Sequence, residues 1–140
     1  DLNTNVRAAR DPVTGKTIWV DANMKYKDWK EKYVDSAIKI KLDNLKGINT
    51  YEGFKVESIS NHLIERVIQR NIKVEDIEEA LINPLKMGKR VVDKEGLPSI
   101  RFYGEDVTVV ANPDIGKLVT TYRTSSNRAA KWKREKNENS

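Results

Sequence analysis

The chain has 140 residues, 34% of them charged and 38% hydrophobic, with a net charge of +5 and a pI of about 9.3. This length predicts one principal domain with room for a small extra piece, and the basic balance favours a polyanion such as nucleic acid as partner. The absence of cysteine excludes disulfides and thiolate zinc sites, and with no apolar stretch near the length of a membrane helix, neither a membrane span nor a signal peptide is expected.

Residues 1–53 read as an extension and linker from a larger parent, since the chain opens on Asp1 rather than methionine. Within "DPVTGKTIWVDANMKYKDWKEKYV" turn chemistry stands at Asp11-Pro12 and Thr14-Gly15, followed by an extended piece from Thr17 to Val20. Trp29 and Tyr33 fall four apart, which predicts a short helix from about Lys27 to Ala37. "DNLKGINTYEG" reads as a linker, so the domain is expected to start near Phe54 and to run over 54–125.

From there the pattern sharpens. Ser58 or Ser60 can N-cap a helix that runs to about Arg70, with Asn71 as a left-handed stop. A second helix, "VEDIEEALI", places acids in its first turn, where the dipole favours them, and ends at Asn83-Pro84. Four strands follow, Lys86 to Val92, Pro98 to Tyr103, Asp106 to Asn112 and Lys117 to Thr124, separated by "DKEG", "GE" and "PDIG" turns. Connections this short make neighbouring strands antiparallel, so an α+β domain with a meander sheet is expected. The polar stretch 126–140 reads as a basic, flexible tail.

The chemistry concentrates in "SNHLIERVIQR", which holds the only histidine. At about 100° per residue, His62, Arg66 and Arg70 share one strip bordering the apolar face of Leu63, Ile64, Val67 and Ile68. Metal-free cleavage of RNA needs a base for the 2′-hydroxyl, an acid for the departing 5′-oxygen and cations for the phosphoryl charge. Histidine can fill either proton-transfer role, and arginine matches phosphate geometry two bonds at a time. The plain alternative is a surface strip that happens to contain a histidine. In the strands, Ser99, Arg101 and Tyr103 point one way. Thr120, Tyr122 and Thr124 share a face opposite Val119, Thr121 and Arg123, offering hydroxyls to a phosphate and a ring to a base.

Taken together, "ISNHLIERVIQRNIKVEDIEEALINPL" and "GLPSIRFYGEDVTVVANPDIGKLVTTYRT" resemble the phage and polymorphic-toxin ribonuclease domains of the barnase–EndoU–colicin–RelE (BECR) group. The shared pattern is H-x-x-x-R-x-x-x-R on a helix, a second helix ending in N-P-L, then G-x-P-S-x-R-F-x-G, N-P-x-x-G-K and T-x-Y-x-T. It covers about residues 56–125. The leading segment is similar to the stretch that closes the head-morphogenesis region of phage minor head proteins. The resemblance implies two N-terminal helices packed on one face of a four- to five-stranded antiparallel sheet. It places the family's histidine and arginine at His62 and Arg66, and its last-strand hydroxyl and aromatic at Thr120 and Tyr122, a departure from the tryptophan that members often carry.

The resulting expectation is a metal-independent endoribonuclease toxin cutting tRNA or mRNA, with His62, Arg66, Thr120 and Tyr122 catalytic. Arg70, Ser99, Arg101 and Thr124 would bind RNA. No cofactor and no metal is expected, because one histidine and no clustered inward carboxylates leave too few ligands. The implied partners are RNA and a cognate, acidic immunity protein, with delivery into a target cell's cytoplasm from a phage particle or a secreted toxin. The competing readings are a non-catalytic nucleic-acid-binding module of a phage head and an ADP-ribosyltransferase. The latter is disfavoured by the absence of a nicotinamide-pocket Ser-Thr-Ser motif.

Overall fold

The structure, a computed structural model, describes residues 6–11, 15–21 and 25–138. It divides into two compact units, Asp1–Lys41 and Leu42–Ser140.

In the first unit, β1 (Val6–Arg10) and β2 (Thr17–Asp21) form an antiparallel hairpin in which Ala8 faces Trp19. Pro12 to Thr14 of the expected turn lie outside the described residues, but its ends close as anticipated, with the Asp11 N–H donating to the Lys16 carbonyl at 2.8 Å. The expected short helix is part of a longer helical run. α1 (Tyr26–Trp29) leads into a π-helical stretch, Lys30–Asp35, and then α2 (Ser36–Asp43), whose last two residues belong to the second unit. The π winding brings residues five apart together: Lys30 pairs with Asp35 at 3.1 Å, and the Ser36 hydroxyl donates to the Glu31 carbonyl.

The second unit begins a dozen residues before the expected boundary at Phe54. Leu42, Leu45 and Val56 are buried, and the supposed linker is folded on itself, with the Gly47 N–H bonded to the Val56 carbonyl and Val56 N–H to that of Ile48. Its remaining elements are β3 (Ser58–Ile59), α3 (Asn61–Arg70), α4 (Val74–Ile82), β4 (Lys86–Met87), β5 (Val91–Val92), β6 (Pro98–Tyr103), β7 (Val107–Asn112), β8 (Lys117–Arg123) and α5 (Ser126–Glu138). The fold is α+β.

α3 is defined by its ends. Ser60 is its N-cap, accepting the Leu63 N–H at 3.0 Å, and Asn71 stops it in the left-handed conformation at φ 53°. Leu63 and Val67, one turn apart, are fully buried, as are Ile77, Ala80 and Leu81 of α4. Burying each large aliphatic side chain contributes about 1.5–3 kcal/mol. α3 packs against β8 and α4 against β7 and β6.

The sheet departs from a pure meander in three ways. It has six strands in the order β3-β8-β7-β6-β4, with β5 also on β6. First, β3 pairs parallel with the start of β8, which makes the sheet mixed. Second, the expected strand Lys86 to Val92 is broken into β4 and β5. β4 pairs Met87 with Phe102, whereas β5 pairs Val91 with Ser99, so one extra residue lies between them and shifts the register. Third, a bulge falls between Val110 and Ala111, opposite Val119.

The parallel pairing depends on Gly116. Its carbonyl accepts from the Glu57 and Ser58 N–H groups, its φ is +67°, and a Cβ there would strike the Lys55 carbonyl oxygen and stand 2.9 Å from Glu57. Left-handed strain and overpacking would act together in Gly116→Ala, so a loss of about 2–3 kcal/mol is expected, measured as a fall in denaturation midpoint.

The expected flexible tail is instead α5. Ala129 and Trp132 are three apart, so they share a helix face, and both are buried. The Trp132 ring lies 4.6 Å from that of Tyr103, with the Lys86 ammonium 5.7 Å from its centroid.

Candidate functional site

The two faces of the sheet differ. The rows Ile100–Ala111–Leu118 and Phe102–Val109–Thr121 face α3 and α4 and are closed to solvent. The opposite face carries the rows Arg101–Val110–Thr120 and Tyr103–Thr108–Tyr122. α5 covers the Tyr103 end of this second face, and the other end stays open.

α3 and β8 start at the same end of the sheet and run side by side in one direction. At the start, Ser60 donates from its hydroxyl to the Val119 carbonyl and from its N–H to that of Leu118. At the finish, the Arg123 guanidinium donates to the Arg70 carbonyl at 2.8 Å, placing a cation on the helix C-terminus. His62 is therefore level with the beginning of β8 and Arg70 with its end, roughly 12 Å further along the helix axis. Arg66 sits between them and donates from Nε to the His62 Nε2 at 3.4 Å. That bond requires Nε2 to be the unprotonated ring nitrogen.

His62 lines a groove of about 450 Å³ at the open end of the sheet. The other walls are Ser60, Asp93, Leu97, Pro98, Ser99, Asn112, Ile115, Lys117 and Val119. Of the residues expected to act together, His62 and Ser99 meet here, and Arg66 touches His62. Thr120 and Tyr122 do not line this groove. They occupy the next rows of the same face, half-exposed, with Arg101 exposed in the Thr120 row. Successive rows are about 7 Å apart. Arg70 lies at the far end. Thr124 is tied to Thr108, hydroxyl to hydroxyl at 2.9 Å, and lines a depression at the opposite end of the sheet, not this groove. Val119, expected on the helix face with Thr121, is turned into the groove by the bulge.

Beyond the cap Ser60, three polar groove residues escaped the sequence reading. Asp93, Asn112 and Lys117 all belong to stretches whose composition reads only as turn or strand end. The Asp93 Oδ1 accepts the Glu95 and Leu97 N–H groups at 2.9 Å each, which fixes its carboxylate. Lys117, paired across from Asn112, has no ion-pair partner among the described residues. A signal for them did exist. In a meander, the first and third turns lie at the same end of the sheet, so "DKEG" and "PDIG" had to be neighbours.

A larger depression, about 770 Å³, lies at the opposite end, walled by Lys73, Asp76, Glu105, Asp106, Arg123, Lys133 and the start of α5. Burial, and then the neighbouring Asp106 charge, raises the Asp76 carboxyl above its ordinary value, against the pull of Lys73 and Arg123. Two of its three cations are engaged, Lys133 with Glu105 at 3.0 Å and Arg123 with the end of α3, and the third, Lys73, acts on the Asp76 carboxyl. No imidazole faces it, which directs attention to the His62 groove instead.

Residues 59–123 match a domain of unknown function, DUF4258. No curated protein and no solved structure matches the chain. The DUF4258 match runs from Ile59 of β3 to Arg123, the last residue of β8, and so holds every wall of the groove while leaving out α5. Among the described residues, no helix is long and apolar enough to cross a membrane, and no three His, Asp or Glu side chains cluster as a metal cage would need.

Proposed function

We propose that the second unit is a metal-independent endoribonuclease of the BECR type. The observation that carries this reading is the meeting of the only imidazole, His62, with the Asp93 carboxylate and the Lys117 ammonium in one groove, with the Arg66 guanidinium against the imidazole. Two titratable groups are what in-line attack by a ribose 2′-hydroxyl requires. One withdraws the hydroxyl proton, and the other returns a proton to the departing 5′-oxygen. Lys117 and Arg66 supply the positive charge for the phosphoryl oxygens. Arg101, Thr120 and Tyr122 continue the same face and are suited to carry the strand away from the cleavage point, the tyrosine ring by stacking on a base. The sequence resemblance supports the reading, since α3 carries the histidine and arginine of the family pattern and α3 and α4 precede strands β4 to β8, although β3 comes before both helices.

A toxin acting on RNA implies delivery into a target cell and a cognate acidic protein that neutralises it in the producer. The deciding experiment is incubation of the purified chain with total RNA in EDTA. Cleavage that persists without divalent ions, leaving 2′,3′-cyclic or 3′-phosphate ends, is the expected result. Tight, salt-sensitive binding without cleavage would make the unit a nucleic-acid-binding module instead.

A further inference from the structure

We propose that the apolar end of the His62 groove is a base-recognition subsite in which Asn112 selects a base with a carbonyl in the O6 or O4 position, guanine or uracil, against adenine. This rests on the ribonuclease reading and adds a specificity-determining residue to it.

Two independent features lead there. The first is the amide of Asn112, a residue 7% exposed at the floor of the groove. Its Oδ1 accepts the Asp114 N–H at 3.0 Å, which fixes which way the amide faces. Its Nδ2 has no hydrogen-bond partner among the described residues and is not sealed from solvent. The second is a pair of apolar side chains that the core does not use: Leu97 is 52% exposed and Ile115 57%, and both line the groove with Pro98 and Val119. Apolar walls with a few fixed polar groups are the composition of a small-ligand site, and the volume lies within the usual range.

The locked amide sets the preference. Asparagine ordinarily reads adenine with its oxygen accepting from N6 and its nitrogen donating to N7. Here the oxygen already accepts the Asp114 N–H, which leaves it the weaker acceptor, so Asn112 presents chiefly its free Nδ2 donors. A carbonyl oxygen, O6 of guanine or O4 of uracil, meets those donors directly. Adenine carries its N6 amino group where those bases carry the oxygen, so donor would face donor, and one such mismatch is worth roughly tenfold or more in affinity.

The test is a titration of the whole chain with the 3′-monophosphates of guanosine, uridine and adenosine, followed by ¹H–¹⁵N correlation spectra that include the Asn112 side-chain amide. The expected result is binding of the guanosine or uridine nucleotide at least about tenfold tighter than the adenosine nucleotide, with the Asn112 amide resonances moving. Asn112→Asp keeps the oxygen that accepts from Asp114 and removes the donors, so the ratio between bases should collapse even if added negative charge weakens all three. Ile115→Ser, at an exposed position that folding does not need, should weaken all three alike. Equal binding, tighter binding of the adenosine nucleotide, no binding at all, or an unchanged ratio in Asn112→Asp would each overturn the subsite. RNA cleavage in EDTA is read separately. Cleavage without the base preference defeats the subsite alone, whereas absence of cleavage defeats the ribonuclease reading.

Discussion

His62→Ala is expected to lower RNA cleavage by about a hundredfold or more while leaving the folded chain almost as stable as before, within about 0.5 kcal/mol. Both halves follow from position. The imidazole is exposed, and its hydrogen bond is to another surface side chain, the Arg66 guanidinium, at a long 3.4 Å. The helix start does not depend on it, because Ser60 caps α3 and ties it to β8 through the Val119 carbonyl. Burial on that turn belongs to Leu63. A histidine kept for packing or capping would show the opposite pattern, with a fall in midpoint and little change in cleavage. Measuring initial cleavage rate and denaturation midpoint on the same preparations separates the two, and a variant that cuts RNA at the parent rate would end the proposal for this groove.

Much of this arrangement was legible because it rests on local signals. The caps of α3, Ser60 and Asn71, are residue types chosen by unpaired helix-end groups and by left-handed backbone, and α4 ends where Asn83-Pro84 stops it. β6 occupies the six residues expected of it, and Arg101 and Tyr103 share a face as alternation requires. What was not legible is non-local. The two residues of β3 carry no strand signal, and they become a strand only because Gly116 lets the chain approach Glu57 and Ser58 closely. The bulge opposite Val119 is likewise a property of the β7–β8 pair, and it reverses the side of the sheet that simple alternation assigns to Val119.

The site shows the same division. Helical spacing put His62 and Arg66 together, and they touch. The same spacing grouped Arg70 with them, yet the helix carries it to the other end of β8, where Arg123 bonds its carbonyl. By helix rise against strand rise, Arg66 falls between His62 and Arg70, roughly level with Thr120 and Thr121. Asp93, Asn112 and Lys117 come from three places in the chain and meet only because the sheet brings two turns to one end. Turn composition hides such residues. Asp93 and Asn112 each accept backbone N–H groups nearby, a sufficient structural reason for their presence that masks any second use.

At the opposite end of the sheet, Trp132→Ala is expected to detach α5. Of the thirteen residues in that helix only Ala129 and Trp132 are buried, and an isolated helix of this length is marginal in water. Its ion pair between Lys133 and Glu105 is exposed on both sides and contributes little, as does the bond from the Lys136 ammonium to the Asn83 side chain. Removing a buried tryptophan costs about 3–5 kcal/mol, more than those contacts can restore. The loss to the whole chain is limited by the free energy at which α5 undocks, after which the rest of the unit no longer registers the change. Hydrogen exchange over residues 126–138 should therefore rise to that of a free peptide and helical circular dichroism should fall, while the buried strand β7 keeps its protection. Protected amides in α5 of the variant would show that the Tyr103–Trp132 contact does not hold the helix. Because the His62 groove lies at the other end of the sheet, cleavage should survive this substitution, so the two variants separate what holds the fold from what acts on RNA.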